Sequence, residues 1–132
     1  MKQIVVAAAV IIEQGKVFAA QRKNVGELAK KWEFPGGKLE MGESGEEAIV
    51  REINEELSLQ IEVLDHLMTV EHTYSTFHIT MHAYRCALVS GELALSEHLD
   101  SRWLGSGELQ SLDWAAADLP IVERVASLLE KI

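Results

Sequence analysis

The sequence predicts an α+β layered fold. Strand-length runs rich in β-branched and aromatic residues recur along the chain, while two segments, residues 45–57 and 119–131, carry apolar positions at helical spacing. With 132 residues, 48% of them hydrophobic, the chain is expected to build one core. No repeat, linker or low-complexity stretch divides it, so a single domain over residues 1–132 is expected.

Residues 3–12 and 17–21 read as a hairpin about the turn Glu13-Gln14-Gly15-Lys16. The apolar run after Lys2 imitates a signal-peptide core, but no small-residue cleavage site follows, and it is read as a strand. A polar stretch, 23–31, leads to a short strand at 32–34. Pro35-Gly36-Gly37 then reads as a tight turn with positive φ, where a backbone carbonyl can approach a ligand. Ser44 with Glu47 forms a capping-box pattern, and Ala48, Ile49, Ile53 and Leu57 supply the apolar stripe of the helix that follows. Its carboxylates are expected to face away from the core. Residues 61–71 and 77–89 look like long strands, with Ser90-Gly91 as a turn and Cys86 as a buried strand thiol. Trp103 marks another short strand. The last helix carries Ile121, Val122, Val125, Leu128 and Leu129 on one face, and Asp118 occupies its N-cap position.

Chemistry concentrates between Gly37 and Leu59. In Arg51-Glu52-Ile53-Asn54-Glu55-Glu56, side chains three and four apart share a helix face, so Glu52, Glu55 and Glu56 crowd together. Each like-charge pair costs roughly 0.2–0.5 kcal/mol, which a cation would relieve. Hard oxygen donors select magnesium, manganese or calcium, and magnesium takes one or two carboxylates together with substrate phosphates. The Gly36 carbonyl is a further candidate ligand. The competing interpretation is a solvated acidic face on which Arg51 pairs with Glu47 and Glu55.

These residues resemble the Nudix box, in which a glycine and a glutamate precede R-E-U-x-E-E-x-G-U with U apolar. Gly37, Glu43, Arg51, Glu52, Ile53, Glu55, Glu56 and Leu59 match it, and Ser58 stands where the family has glycine. A serine there requires a strained backbone or a different helix end, at a cost near ~1 kcal/mol. Trp32-Glu33-Phe34-Pro35-Gly36-Gly37-Lys38, the Arg22 segment and Ala117-Asp118-Leu119-Pro120 extend the likeness to MutT-type nucleoside triphosphate pyrophosphohydrolases. The resemblance implies an α/β/α Nudix sandwich around a mixed sheet, and magnesium as cofactor with manganese as a substitute.

It also implies roles. Glu52 would be the base and a metal ligand, with Glu56 and the Gly36 carbonyl as the strongest ligands and Glu55 next. Glu43 would be an outer carboxylate or an alternative base, and Arg51 would orient carboxylates. Glu97 is placed as a ligand by its spacing from Trp103, against the alternative of a solvated loop glutamate. Arg22 and Lys38 are cations beside the site that are suited to a triphosphate. Phe34 and Phe77 either stack on a base or pack in the core. Asp118 aligns with the base-reading position, where the MutT prototype has asparagine, and otherwise caps the last helix. The histidines, His78 and His82 among them, read as structural or surface residues, since magnesium chemistry does not call for imidazole.

A formal net charge of −9 argues against a sequence-independent nucleic-acid binder, so a free nucleoside triphosphate is the expected partner. No apolar run is long enough to span a bilayer, and a lone cysteine fits a reducing cytoplasm. The function expected is magnesium-dependent release of pyrophosphate from a nucleoside triphosphate. Preferred is 8-oxo-dGTP, in nucleotide-pool sanitation, with CTP or a modified pyrimidine triphosphate next. Hydrolysis of ADP-ribose or a dinucleoside polyphosphate, and non-catalytic nucleotide sensing, are the alternatives.

Overall fold

The computed structural model describes residues 1–131. Its element order is β1 (Lys2–Glu13), β2 (Lys16–Arg22), β3 (Trp32–Glu33), β4 (Gly36–Lys38), α1 (Gly45–Leu57), β5 (Leu59–Thr73), β6 (Phe77–Gly91), β7 (His98–Leu104) and α2 (Leu119–Glu130). Short 3₁₀ turns at Leu109–Ser111 and Ala116–Asp118 precede α2.

The expected hairpin forms, with Gln14 and Gly15 both at positive φ, the backbone twist that suits a two-residue connection. The sheet is mixed: β1 runs parallel to β6 from Lys2↔Phe77 to Ile11↔Cys86, while its other pairings are antiparallel, with β2 and β4. Strand order is β3-β2-β1-β6-β5, with β4 on β1 and β7 on β2.

Alternation along β1 divides the core. Ala7, Ala9 and Ile11 face α1 and pack with Ala48, Ile49, Ile53 and Leu57, while Ala8 and Val10 face the layer of Ile121, Val122, Val125 and Leu129 from α2. The α/β/α sandwich follows from this two-sided burial. Both faces must be small near the glycine strand, which explains three consecutive alanines in β1.

Two local readings are corrected. Gly36 and Gly37 are not a positive-φ turn but an extended strand against Ala8 and Ala7. Glycine is required there by approach: a side chain on Gly36 would strike the Ala7 carbonyl, and one on Gly37 would lie 2.5 Å from the Glu52 carboxyl carbon. Likewise Ser90-Gly91 is not a turn, because the β5–β6 pairing continues to Leu59↔Gly91. Gly91 takes φ 111° where the strand passes close to the Ser58 carbonyl.

α1 starts with the expected reciprocal cap: Ser44 Oγ accepts from Glu47 N–H at 3.1 Å, and Glu47 Oε1 accepts from Ser44 N–H at 2.9 Å. It ends on Ser58 in the left-handed region, φ 59° and ψ 30°, its N–H donating to the Asn54 carbonyl. The serine therefore adopts the conformation that glycine would take. Cys86 is buried at 1% exposure, as expected, and burial pushes its thiol up to about 12.

Candidate active site

A cleft of about 500 Å³ opens between β4, the β2–β3 loop and the start of β6. Part of its lining is charged, with Arg22, Lys23, Glu33, Lys38, Glu56, Glu97 and the Gly36-Gly37 backbone, and part is apolar, with Ile4, Val6, Leu28, Phe77, Ile79 and Met81. Asp118 is its buried acid, close enough to Glu33 and Arg22 to feel their charges. A mixed lining of this kind suits a ligand with both ionic and flat apolar parts.

The charged end is organised by Arg51. Its Nε donates to Glu43 Oε2 at 2.7 Å, Nη2 to Glu43 Oε1 at 3.0 Å and to the Lys38 carbonyl at 3.2 Å, and Nη1 to Glu52 Oε1 at 2.9 Å and Glu55 Oε2 at 3.3 Å. One guanidinium thus ties the loop before α1, the glycine strand and the helix together, the orienting role the box implies. The hydrogen bonds from Arg51, with help from the Glu40 backbone, hold the Glu43 carboxyl down at about 2. Glu43 thus buttresses Arg51 through both carboxylate oxygens. Glu47 is occupied by the cap and does not pair with Arg51.

The box carboxylates do not all face away from the core. Glu52 is 15% exposed and lies on the Gly37 backbone, and Glu56 lines the cleft, while Glu55 is 59% exposed, held by Arg51 and outside the cleft. Burial, then hydrogen bonding to and the charge of Glu52, then the charges of Glu33 and Glu97, push the Glu56 carboxyl up to about 8. A half-buried group of oxygen donors with too little positive charge is the donor chemistry a hard divalent cation fits. Among the described residues, no three His, Cys, Asp or Glu side chains are arranged to hold a metal ion unaided. Glu97 lines the cleft as expected of a ligand, although its carboxylate now pairs with Lys23 at 3.2 Å.

Asp118 does not cap α2: it occupies the N-cap position but makes no side-chain cap bond. It is 2% exposed, and its Oδ2 accepts from Phe34 N–H at 3.4 Å. Burial, and secondarily the charge of Glu33, raise its pKa well above the ordinary carboxylate range. Phe34 is a core residue, 3% exposed and stacked on Trp114 at 4.8 Å, whereas Phe77 is half-buried in the cleft wall, 5.0 Å from the Tyr74 ring. Only Phe77 of the two is free to meet a flat ligand.

Two cleft residues were not singled out from the sequence. Glu33 accepts from Arg22 Nη1 and from His98 Nε2, each at 2.9 Å. Glu33 stands inside the Trp32–Lys38 segment and His98 directly follows Glu97, yet their meeting depends on strand pairing. His98 is a buried histidine bonded to Glu33, while His78 and His82 make local bonds to Thr73 and Thr69.

The family model for the NUDIX domain matches residues 7–124. The chain is 36% identical to the CTP pyrophosphohydrolase of Escherichia coli K12, over 97% of this chain and 95% of that protein. It is 39% identical to a putative 8-oxo-dGTP diphosphatase 2 of Mycobacterium tuberculosis, over 89% and 84% of the two chains. Among solved structures, the Escherichia coli ORF135 protein superposes with TM-score 0.81 at 35% identity, covering 97% of this chain and 91% of that one. A MutT protein of methicillin-resistant Staphylococcus aureus 252 gives TM-score 0.77 at 38% identity, covering 96% and 98%. With the box, the sandwich and nearly the full length matched, the chain belongs to the Nudix hydrolase family, in its MutT-like branch, a family of divalent-metal enzymes acting on phosphoanhydrides.

Proposed function

We propose that the protein is a magnesium-dependent nucleoside triphosphate pyrophosphohydrolase that prefers 8-oxo-dGTP and thereby cleanses the nucleotide pool. The observation that carries this reading is the buried Asp118 carboxyl, its pKa raised by burial, lining the same cleft as Glu56, Arg22 and Lys38. A neutral carboxyl both accepts and donates a hydrogen bond. The N7–H and O6 of 8-oxoguanine present a donor beside an acceptor, whereas unmodified guanine offers two acceptors on that edge. Phe77 supplies the aromatic wall.

At the charged end, Arg22 and Lys38 bind phosphate oxygens, and Glu52, Glu56, the Gly36 carbonyl and Glu97 would hold the metal, with Glu55 outside the cleft. The bound cation supplies charge neutralisation and a lower pKa for water. Glu52, oriented by Arg51 and pressed on Gly37, takes the proton as the water oxygen bonds to phosphorus. The bridging P–O bond breaks, and pyrophosphate leaves a nucleoside monophosphate behind. Glu43 remains ionised and keeps Arg51 in place.

A cytidine preference is the second reading, favoured by the full-length likeness to a CTP pyrophosphohydrolase. Cytosine also sets an amino donor beside a ring acceptor. Initial-rate pyrophosphate release from 8-oxo-dGTP, dGTP, CTP, dCTP, 5-methyl-dCTP, ADP-ribose and a diadenosine polyphosphate, with magnesium and with chelator, tests both. Preference for 8-oxo-dGTP over dGTP supports sanitation, and preference for CTP moves the assignment to pyrimidines. Turnover of ADP-ribose or the dinucleotide alone would overturn the triphosphate reading.

A further inference from the structure

The scheme above leaves Glu33 and His98 without a part. Both oxygens of Glu33, a side chain 17% exposed, are engaged, one by Arg22 Nη1 and the other by His98 Nε2. The His98 side chain is 4% exposed, and its Nδ1 is buried without a partner, as is Arg22 Nε. Leaving buried polar atoms unpaired is costly, and an apolar side chain would fill the same volume without that cost.

The arrangement is a product of three strands. β2 lies between β3 and β7, and its register with β7 slips between Gln21 and Arg22, so Arg22 stands opposite His98 while Leu99 is left 52% exposed. A bulge re-aims side chains in this way, and here it brings His98 beside Glu33. The surroundings of Arg22 are acidic: Glu56 and Glu97 line the same cleft, and the neighbouring Lys23 already pairs with Glu97. An untethered Arg22 would be drawn to those carboxylates and neutralise the donors meant for the substrate complex. Glu33 can restrain it only if Glu33 is itself fixed, and His98 supplies the second anchor.

We propose that His98 is a positioning residue for substrate: acting through Glu33, it holds the guanidinium of Arg22, a side chain 42% exposed, where it receives a phosphate oxygen of the bound nucleotide. This rests on the reading that Arg22 binds the nucleotide's phosphates.

The test is a double-mutant cycle in the full chain, comparing wild type, H98A, H98Q, R22A and H98A/R22A with CTP and with 8-oxo-dGTP in magnesium. H98A raises KM about tenfold, the equivalent of ~1.4 kcal/mol, with kcat within about twofold. H98Q, whose amide nitrogen reaches Glu33 as the imidazole Nε2 does, restores most of that loss. In the R22A background, removing His98 raises KM by less than about twofold, because nothing remains to position. Additive effects of the two alanines, or a fall in kcat and melting temperature that glutamine fails to rescue, would overturn the role of His98. If wild type binds but does not turn over these nucleotides, the same cycle is read in Kd with chelator present. If it neither binds nor hydrolyses them, the triphosphate reading fails and this inference with it, an outcome distinct from additivity in an active enzyme.

Discussion

Ser58 and Asp118 each run against their surroundings, one in backbone conformation and one in burial. Ser58 ends α1 at φ 59°, where a side chain costs about 1–2 kcal/mol in an L-residue and glycine costs nothing sterically. Part of that cost is offset in a glycine variant by its freer unfolded chain. Ser58→Gly is therefore expected to stabilise the protein by ~0.5–1 kcal/mol in urea unfolding, without loss of activity. Asp118 is a carboxyl whose folded pKa is raised, so above its ordinary value of ~3.9 the folded state keeps a proton that the unfolded state has lost. Its contribution to stability is thus present below that value and is lost as pH rises through the folded pKa. Asp118→Asn removes this dependence while keeping an acceptor and a donor. Melting temperatures at pH 5 and pH 8 should fall less with pH in the variant than in wild type; equal slopes would show Asp118 ionised. Asp118→Ala, in contrast, should reorder the preference among bases more than it lowers turnover of a common triphosphate.

At the scale of elements, β4 and α1 build the catalytic end jointly, and the two glycines of β4 serve different neighbours. A methyl at Gly36 meets the Ala7 backbone, which cannot yield without breaking the β1–β4 pairing, whereas a methyl at Gly37 meets the flexible end of Glu52. Gly36→Ala should cost on the order of 1–3 kcal/mol of stability. Gly37→Ala should melt near wild type yet lose turnover, since it pushes the Glu52 carboxylate away. Glu52→Gln isolates the same group without bulk: glutamine keeps the helix, and kcat is expected to fall roughly 10²–10⁴-fold with circular dichroism unchanged. Retained turnover in magnesium would remove Glu52 from the role of base.

For the molecule as a whole, the sheet separates two tasks. The α1 face carries the box carboxylates and α2 packs on the opposite face, and the cleft is lined by Glu56 of α1 and by Asp118 just before α2. At the acidic end, burial first and then the neighbouring Glu52, Glu33 and Glu97 raise the Glu56 carboxyl. A divalent ion binding only the folded state should raise the melting temperature with increasing concentration. Magnesium is expected to do so in wild type and much less in Glu56→Gln, read by calorimetry without nucleotide; equal shifts would place the ion elsewhere. No helix among the described residues is long and apolar enough to cross a membrane.

The box, the capping pattern of α1, both helix stripes and the long strands were legible in the sequence because each depends on neighbours within one or two turns or on simple alternation. Ser44 and Glu47 are three residues apart, and Arg51 reaches Glu55 within its own helix. The family and the outline of the charged end followed from such local order. Tertiary structure decided what depends on strand register and burial. Gly36-Gly37 became a strand because β1 passes beside it, and Phe34 became core because Trp114 covers it. Asp118 became a buried carboxyl with a raised pKa rather than a cap because the fold removes it from water. The Arg22–Glu33–His98 contact exists only because three strands, far apart in sequence, are paired with a one-residue slip. Local spacing specifies which side chains a helix or strand can present together; long-range packing alone sets their distances, their solvation and therefore their charge.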